Sequence, residues 1–95
     1  MPFVLIEHRA GDFDRFKKVF QDDEARRGSM GCRGGVVYRV ADDPGNIIVV
    51  LEWDSLDAAR AFAGSLELEE AVEWADSDIA TPRVTVLDVA LEVQG

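Results

Sequence analysis

A second cysteine is missing, so Cys32 has no partner within the chain and there is no internal disulfide framework. Histidine is almost missing too. His8 and Cys32 cannot make up a spaced set of metal ligands, and no acidic calcium-type loop replaces them. No apolar run approaches membrane-spanning length. The opening Met-Pro-Phe-Val-Leu-Ile is too short for a signal-peptide core and has no basic flank, so a cytoplasmic protein is expected. A phosphate loop is absent, because Arg33, Gly34 and Gly35 fall within a strand pattern and lack the lysine and following helix of a P-loop. Positive charge is scarce. Ten Lys and Arg against 19 Asp and Glu give a net charge of -9, which opposes nucleic-acid backbones and anionic membranes alike. Two Lys against eight Arg, among many Ala, Gly, Asp and Val, point to a GC-rich bacterial source.

The chain does contain an ordinary folding composition, 47% hydrophobic and 31% charged, in 95 residues. That is enough for one domain spanning 1–95 with a single modest core, and no linker or repeat divides it. Phe3 to His8 alternates as a strand, and Arg9-Ala10-Gly11 turns the chain. Asp12 is suited to cap a helix that places Phe13, Phe16 and Phe20 on one face and stops at Gly28 and Gly31. Cys32 to Val40 reads as a second strand. Ala41 to Asn46 reads as a hairpin loop, and Ile47 to Trp53 as a third strand, apolar on both faces and therefore central. Asp54 and Ser55 cap a helix through Leu56, Ala59, Phe62 and Ala63. A further helical segment from Leu66 to Ala75 and a long last strand from Arg83 to Val93 complete the pattern.

The order strand, helix, strand, strand, helix, strand is the α+β, ferredoxin-like βαββαβ arrangement, an antiparallel sheet with its helices on one face. The other face then needs a cover. Because the third strand is apolar on both sides, a second copy of the chain packed sheet to sheet is the expected cover, giving a homodimer.

The strand ending in His8, followed by Asp12-Phe13-Asp14-Arg15-Phe16-Lys17, resembles the dimeric α+β barrel superfamily. This group includes the antibiotic biosynthesis monooxygenase-like proteins and the small polyketide cyclases. The run from Leu51 through Trp53 into the Ala-rich helix ending at Phe62 carries the same resemblance, which covers nearly the whole chain. Relatives often have Trp in the first helix where this chain has Phe16. The resemblance implies a homodimer and a cavity between sheet and helices for a flat, hydrophobic, oxygenated molecule. It also implies chemistry without metal or cofactor, although some relatives bind or degrade haem.

His8 is the only side chain whose ordinary pKa lies near neutrality. As a base it would take a proton from an acidic phenol, or from a carbon between two carbonyls, to leave an anion that reacts with oxygen or closes a ring. Asp12 would orient it, unless that carboxylate is occupied as the helix cap and His8 merely ends a buried strand. Axial haem ligation by His8 would require a pocket shaped for porphyrin. Trp53, Trp74 and Tyr38, with Phe62 and Met30, are candidates to wall a substrate pocket, or else are plain core. Arg83 is a candidate partner for an enolate or carboxylate, or else a solvated strand-end cation. Cys32 lacks a nucleophile signature, and Glu67, Glu69, Glu70 and Glu73 read as a solvated helix face. Two functions remain in view. One is a cofactor-free monooxygenase or cyclase on an aromatic polyketide-like substrate. The other is a non-catalytic dimeric ligand-binding or stress-related protein.

Overall fold

The computed structural model describes residues 1–65 and 83–95. Its elements are β1 (Phe3–Arg9), α1 (Phe13–Asp22), α2 (Glu24–Ser29), β2 (Cys32–Val40), β3 (Asp43–Trp53), α3 (Leu56–Ser65) and β4 (Arg83–Leu87). The strands form one antiparallel sheet in the order β2-β3-β1-β4, the ferredoxin-like arrangement expected from the sequence. β3 lies between β2 and β1, the central place its two apolar faces require.

Alternation sets which face each strand residue occupies. On β1 the buried set is Val4, Ile6 and His8; on β3 it is Ile47, Val49, Leu51 and Trp53. These side chains meet Phe16 of α1 and Ala59 and Phe62 of α3, so the core lies between the sheet and one layer of helices. Full burial of a Val, Ile or Phe side chain contributes about 1.5–3 kcal/mol, which makes this layer the main source of stability.

The helix starts follow the sequence. Asp12 is extended, and its Oδ1 accepts from the Arg15 N–H at 3.2 Å. Ser55 Oγ accepts from the Ala58 N–H at 3.1 Å. Each satisfies one otherwise orphaned helix N–H.

Several boundaries differ from expectation. The first helix is broken at Asp23 (φ -92°, ψ 0°), so α1 and α2 are separate segments and Gly28 lies inside α2. The turn into β2 is made by Gly31 at φ +107°, a conformation in which a side chain is strained. The hairpin loop is Ala41-Asp42 alone, because β3 begins at Asp43. Arg9 pairs bidentately with Asp43, at 2.8 and 2.9 Å, and the Ala10 N–H donates to the Gly45 carbonyl. These contacts to β1 hold turn-forming residues in an extended strand. β4 ends at Leu87 rather than Val93, leaving Val89, Leu91 and Val93 exposed beyond the sheet. The helical segment expected at Leu66–Ala75 lies outside the described residues.

Candidate functional site

A cavity of about 690 Å³ opens between the α1–α2 layer and the β2–β3 half of the sheet. Phe13, Phe16 and Phe20 form its helical wall, spaced so that successive turns present them to the same side. The rings lie close together: Phe16 is 6.0 Å from Phe13 and 5.6 Å from Phe20, centroid to centroid. Opposite them stand Gly34, Gly35, Val37 and Leu51.

The two glycines provide this space. A register shift between Cys32 and Gly34 bulges the strand, with Gly34 at φ +122°. Gly35 sits where an added Cβ would run into the Val50 carbonyl oxygen and come within 2.9 Å of Leu51 Cα.

The polar part of the wall comes from Lys17, Gln21, Glu24, Arg27 and Arg33, together with Cys32. Arg27 is only 5% exposed. Its guanidinium donates to the Phe20 carbonyl at 2.8 Å, lies 3.7 Å from Asp23 and sits 3.9 Å from the centroid of the Phe20 ring. Burial pulls its pKa down, and Asp23 partly opposes that. Arg33 is paired with Asp54. Outside the wall, Arg39 places its guanidinium 4.8 Å from the centroid of Phe13.

The residues singled out in the sequence are dispersed. His8 is 4% exposed and does not line the cavity; its ring packs 4.7 Å from that of Phe16, the cavity-facing layer. Its Nδ1 lies 3.4 Å from the Arg9 carbonyl, and burial lowers its pKa. Asp12 is exposed and serves as the helix cap. Trp53 and Phe62 are fully buried and packed together at 4.6 Å between centroids, away from the cavity wall. The Trp53 indole N–H has no acceptor among the described residues. Met30 is half-buried against the core. Tyr38 is 53% exposed on the sheet face opposite the described helices, in register with Ile48, and Arg83 is exposed on β4 opposite Glu7. Trp74 lies outside the described residues.

The sequence pattern places Phe13, Phe16 and Phe20 on one helix face without marking a cavity there, and Lys17, Glu24 and Arg27 were not among the expected site residues. One signal for them was present. The aromatic stripe of the first helix continues at helical spacing into Glu24 and Arg27, and it faces a strand that carries two consecutive glycines.

A ferredoxin-like sheet with helices on one face and an aromatic-walled cavity between the layers defines the structural class. Solved structures share the fold along nearly their whole length. A Deinococcus radiodurans protein grouped with the antibiotic biosynthesis monooxygenases is 16% identical, with a TM-score of 0.61 and coverage of 100% of both chains. A variant of the Mycobacterium tuberculosis haem degrader MhuD, solved with two manganese protoporphyrin IX molecules per active site, is 25% identical at a TM-score of 0.60, covering 98% of this chain and 99% of the other. A dimeric ferredoxin-like protein from an uncultured marine organism is 14% identical at 0.58, covering 99% and 98%. A search of curated proteins gives no match. The sequence pattern of the antibiotic biosynthesis monooxygenase family matches residues 3–74, and the chain belongs to that family.

Proposed function

We propose that the chain is a cofactor-free monooxygenase for a small, flat, oxygenated aromatic substrate bound in the sheet-helix cavity. The observation that carries this reading is the 690 Å³ space walled by three phenylalanine rings in a chain of this family. A volume of that order accommodates a polycyclic aromatic molecule, and the rings exclude water from it. We assign proton removal to Glu24, the carboxylate on the wall among the described residues, and we assign His8 to the core. The substrate carbanion or phenolate then supplies electrons to molecular oxygen. At a methylene flanked by aromatic rings, two C–H bonds are lost and a carbonyl is gained; one oxygen atom stays in the product and the other leaves as water.

The porphyrin that MhuD holds is not part of this reading. Imidazole ligation would need a histidine on the wall, and the chain's one histidine is packed beneath Phe16. The sheet face opposite the described helices carries Val36 and Tyr38, 50% and 53% exposed, and we assign that face to a second copy of the chain. A dimeric neighbour of the same fold supports this assignment.

Glu24, the one carboxylate on the wall among the described residues, is exposed to solvent, and this favours a second reading, in which the cavity binds such molecules without turning them over. Oxygen uptake separates the two. With anthrone as substrate, the enzyme reading expects stoichiometric oxygen consumption and anthraquinone formation above the spontaneous rate, lost in Glu24→Gln. Saturable binding of anthrone with no added oxygen consumption would establish the binding protein instead.

A further inference from the structure

The charge on the cavity wall runs against the charge of the chain. The whole protein carries -9, yet among the described residues the wall contains Lys17, Arg27 and Arg33 against Glu24 alone. Of the three cations, Arg33 is already paired with Asp54. Lys17 is exposed at the rim and has no ion pair among the described residues.

Arg27 is the unusual one. Taking a guanidinium out of water is costly unless its donors find acceptors. This one is 5% exposed, with its Nη1 bonded to a single carbonyl and a carboxylate at the longer distance of 3.7 Å. Its Nε and Nη2 groups have no hydrogen-bond partner among the described residues, and the side chain borders the cavity. Phe20 stacks beneath the guanidinium and holds its plane in place. Fixed donors beside an aromatic slot are complementary to a flat molecule with a negative group at its edge.

We propose that the cavity selects planar aromatic anions, with the ring system against Phe13, Phe16 and Phe20, the carboxylate, phenolate or enolate on Arg27, and Lys17 at the mouth. This deepens the reading of the cavity as the ligand site and rests on it. In the oxygenase reading the same contact makes the substrate's proton easier to remove, because a neighbouring cation favours the charged form of an acid.

The test uses two fluorescent probes that differ by one sulfonate, 1-anilinonaphthalene-8-sulfonate and N-phenyl-1-naphthylamine. Alkylation of Cys32, the chain's single thiol and part of the wall, reports where they bind. At low ionic strength the anionic probe is expected to bind about tenfold tighter than the neutral one. Both should slow Cys32 alkylation, and the anionic preference should shrink with added salt. Arg27→Met should bring the two affinities within about twofold, the loss falling mainly on the anionic probe, and Arg27→Lys should restore part of the difference. Lys17→Met, at an exposed position that leaves folding intact, should weaken the anionic probe alone by about threefold.

Equal affinity for the two probes in the wild type, with Cys32 protected by both, overturns anion selection and leaves the cavity as a ligand site. A preference unaltered in both Lys17→Met and Arg27→Lys/Lys17→Met assigns selection to another place and overturns the proposal. Binding of neither probe, or binding that leaves Cys32 unprotected, removes the cavity reading and the proposal with it.

Discussion

At His8 the burial that completes the core opposes the charge an imidazole takes up below neutral pH. The residue follows Val4 and Ile6 on the inward face of β1 and is 4% exposed under the Phe16 ring. Loss of hydration lowers its pKa from the ordinary 6.5, and the contact with the Arg9 carbonyl only partly offsets this. The unfolded chain therefore takes up a proton at a higher pH than the folded chain. Stability at His8 is fully present above the ordinary value and is lost as pH falls through it toward the lower folded value. Urea midpoints between about pH 7.5 and pH 5 should fall in the wild type and fall less steeply in His8→Leu, which has nothing to protonate there. Equal slopes in the two proteins would show that the imidazole does not contribute. Asp43, whose carboxyl is held low by the bidentate Arg9, loses its contribution only in the more acidic range below its ordinary value of 3.8, so the two effects separate along the pH axis.

Among the elements, β2 makes the fold and the cavity depend on the same residue. Gly35 pairs with Leu51 across the ladder, and a Cβ there would meet backbone atoms of β3, which cannot rotate away as a side chain can. Gly35→Ala should cost about 1–3 kcal/mol, read from denaturant midpoints, and should reduce probe binding in the cavity beyond the loss of folded protein. An alanine tolerated at no cost would mean that β2 lies farther from β3 than the register indicates.

The element order was legible because period-two alternation on β1 and β3, the Asp12 and Ser55 caps and the Phe13/Phe16/Phe20 stripe are local signals. The bend at Asp23 was not legible. Nothing in Asp22-Asp23-Glu24 breaks a helix by itself, and the bend accompanies a tertiary arrangement in which Arg27 reaches back to the Phe20 carbonyl. The extension of β3 back to Asp43 was hidden for a similar reason: Asp43, Pro44, Gly45 and Asn46 are turn formers in isolation, and contacts with Arg9 and Ala10 override that preference. The candidate site was hidden more deeply. Its wall is shared between the helices α1 and α2 and the strands β2 and β3, and a phenylalanine facing an empty slot has the same sequence signature as one facing a filled core.

On the scale of the whole molecule, the described residues give the sheet one face covered by helices and one face bare of them. Cross-strand rows on the bare face run Leu5–Val50–Val36 and Glu7–Ile48–Tyr38, so apolar side chains from adjacent strands lie side by side where water would otherwise sit. Burying such a face against a copy of itself is favoured by the hydrophobic term and opposed by the meeting of two chains that each carry -9. That opposition acts through solvent and is screened by salt, whereas the apolar contribution is not. Sedimentation at micromolar concentration should accordingly give a species of about 21 kDa, twice the 10.5 kDa chain. Its dissociation constant should tighten as ionic strength rises from about 0.02 to 0.3 M. Val36→Asp adds a charge to this face on the edge strand β2, at a position already half exposed, so the single chain should keep its circular dichroism while the species falls to 10.5 kDa. A wild type that sediments at 10.5 kDa in both salts would refute the self-association of this face, and a dimer undisturbed by Val36→Asp would move the contact elsewhere on the chain.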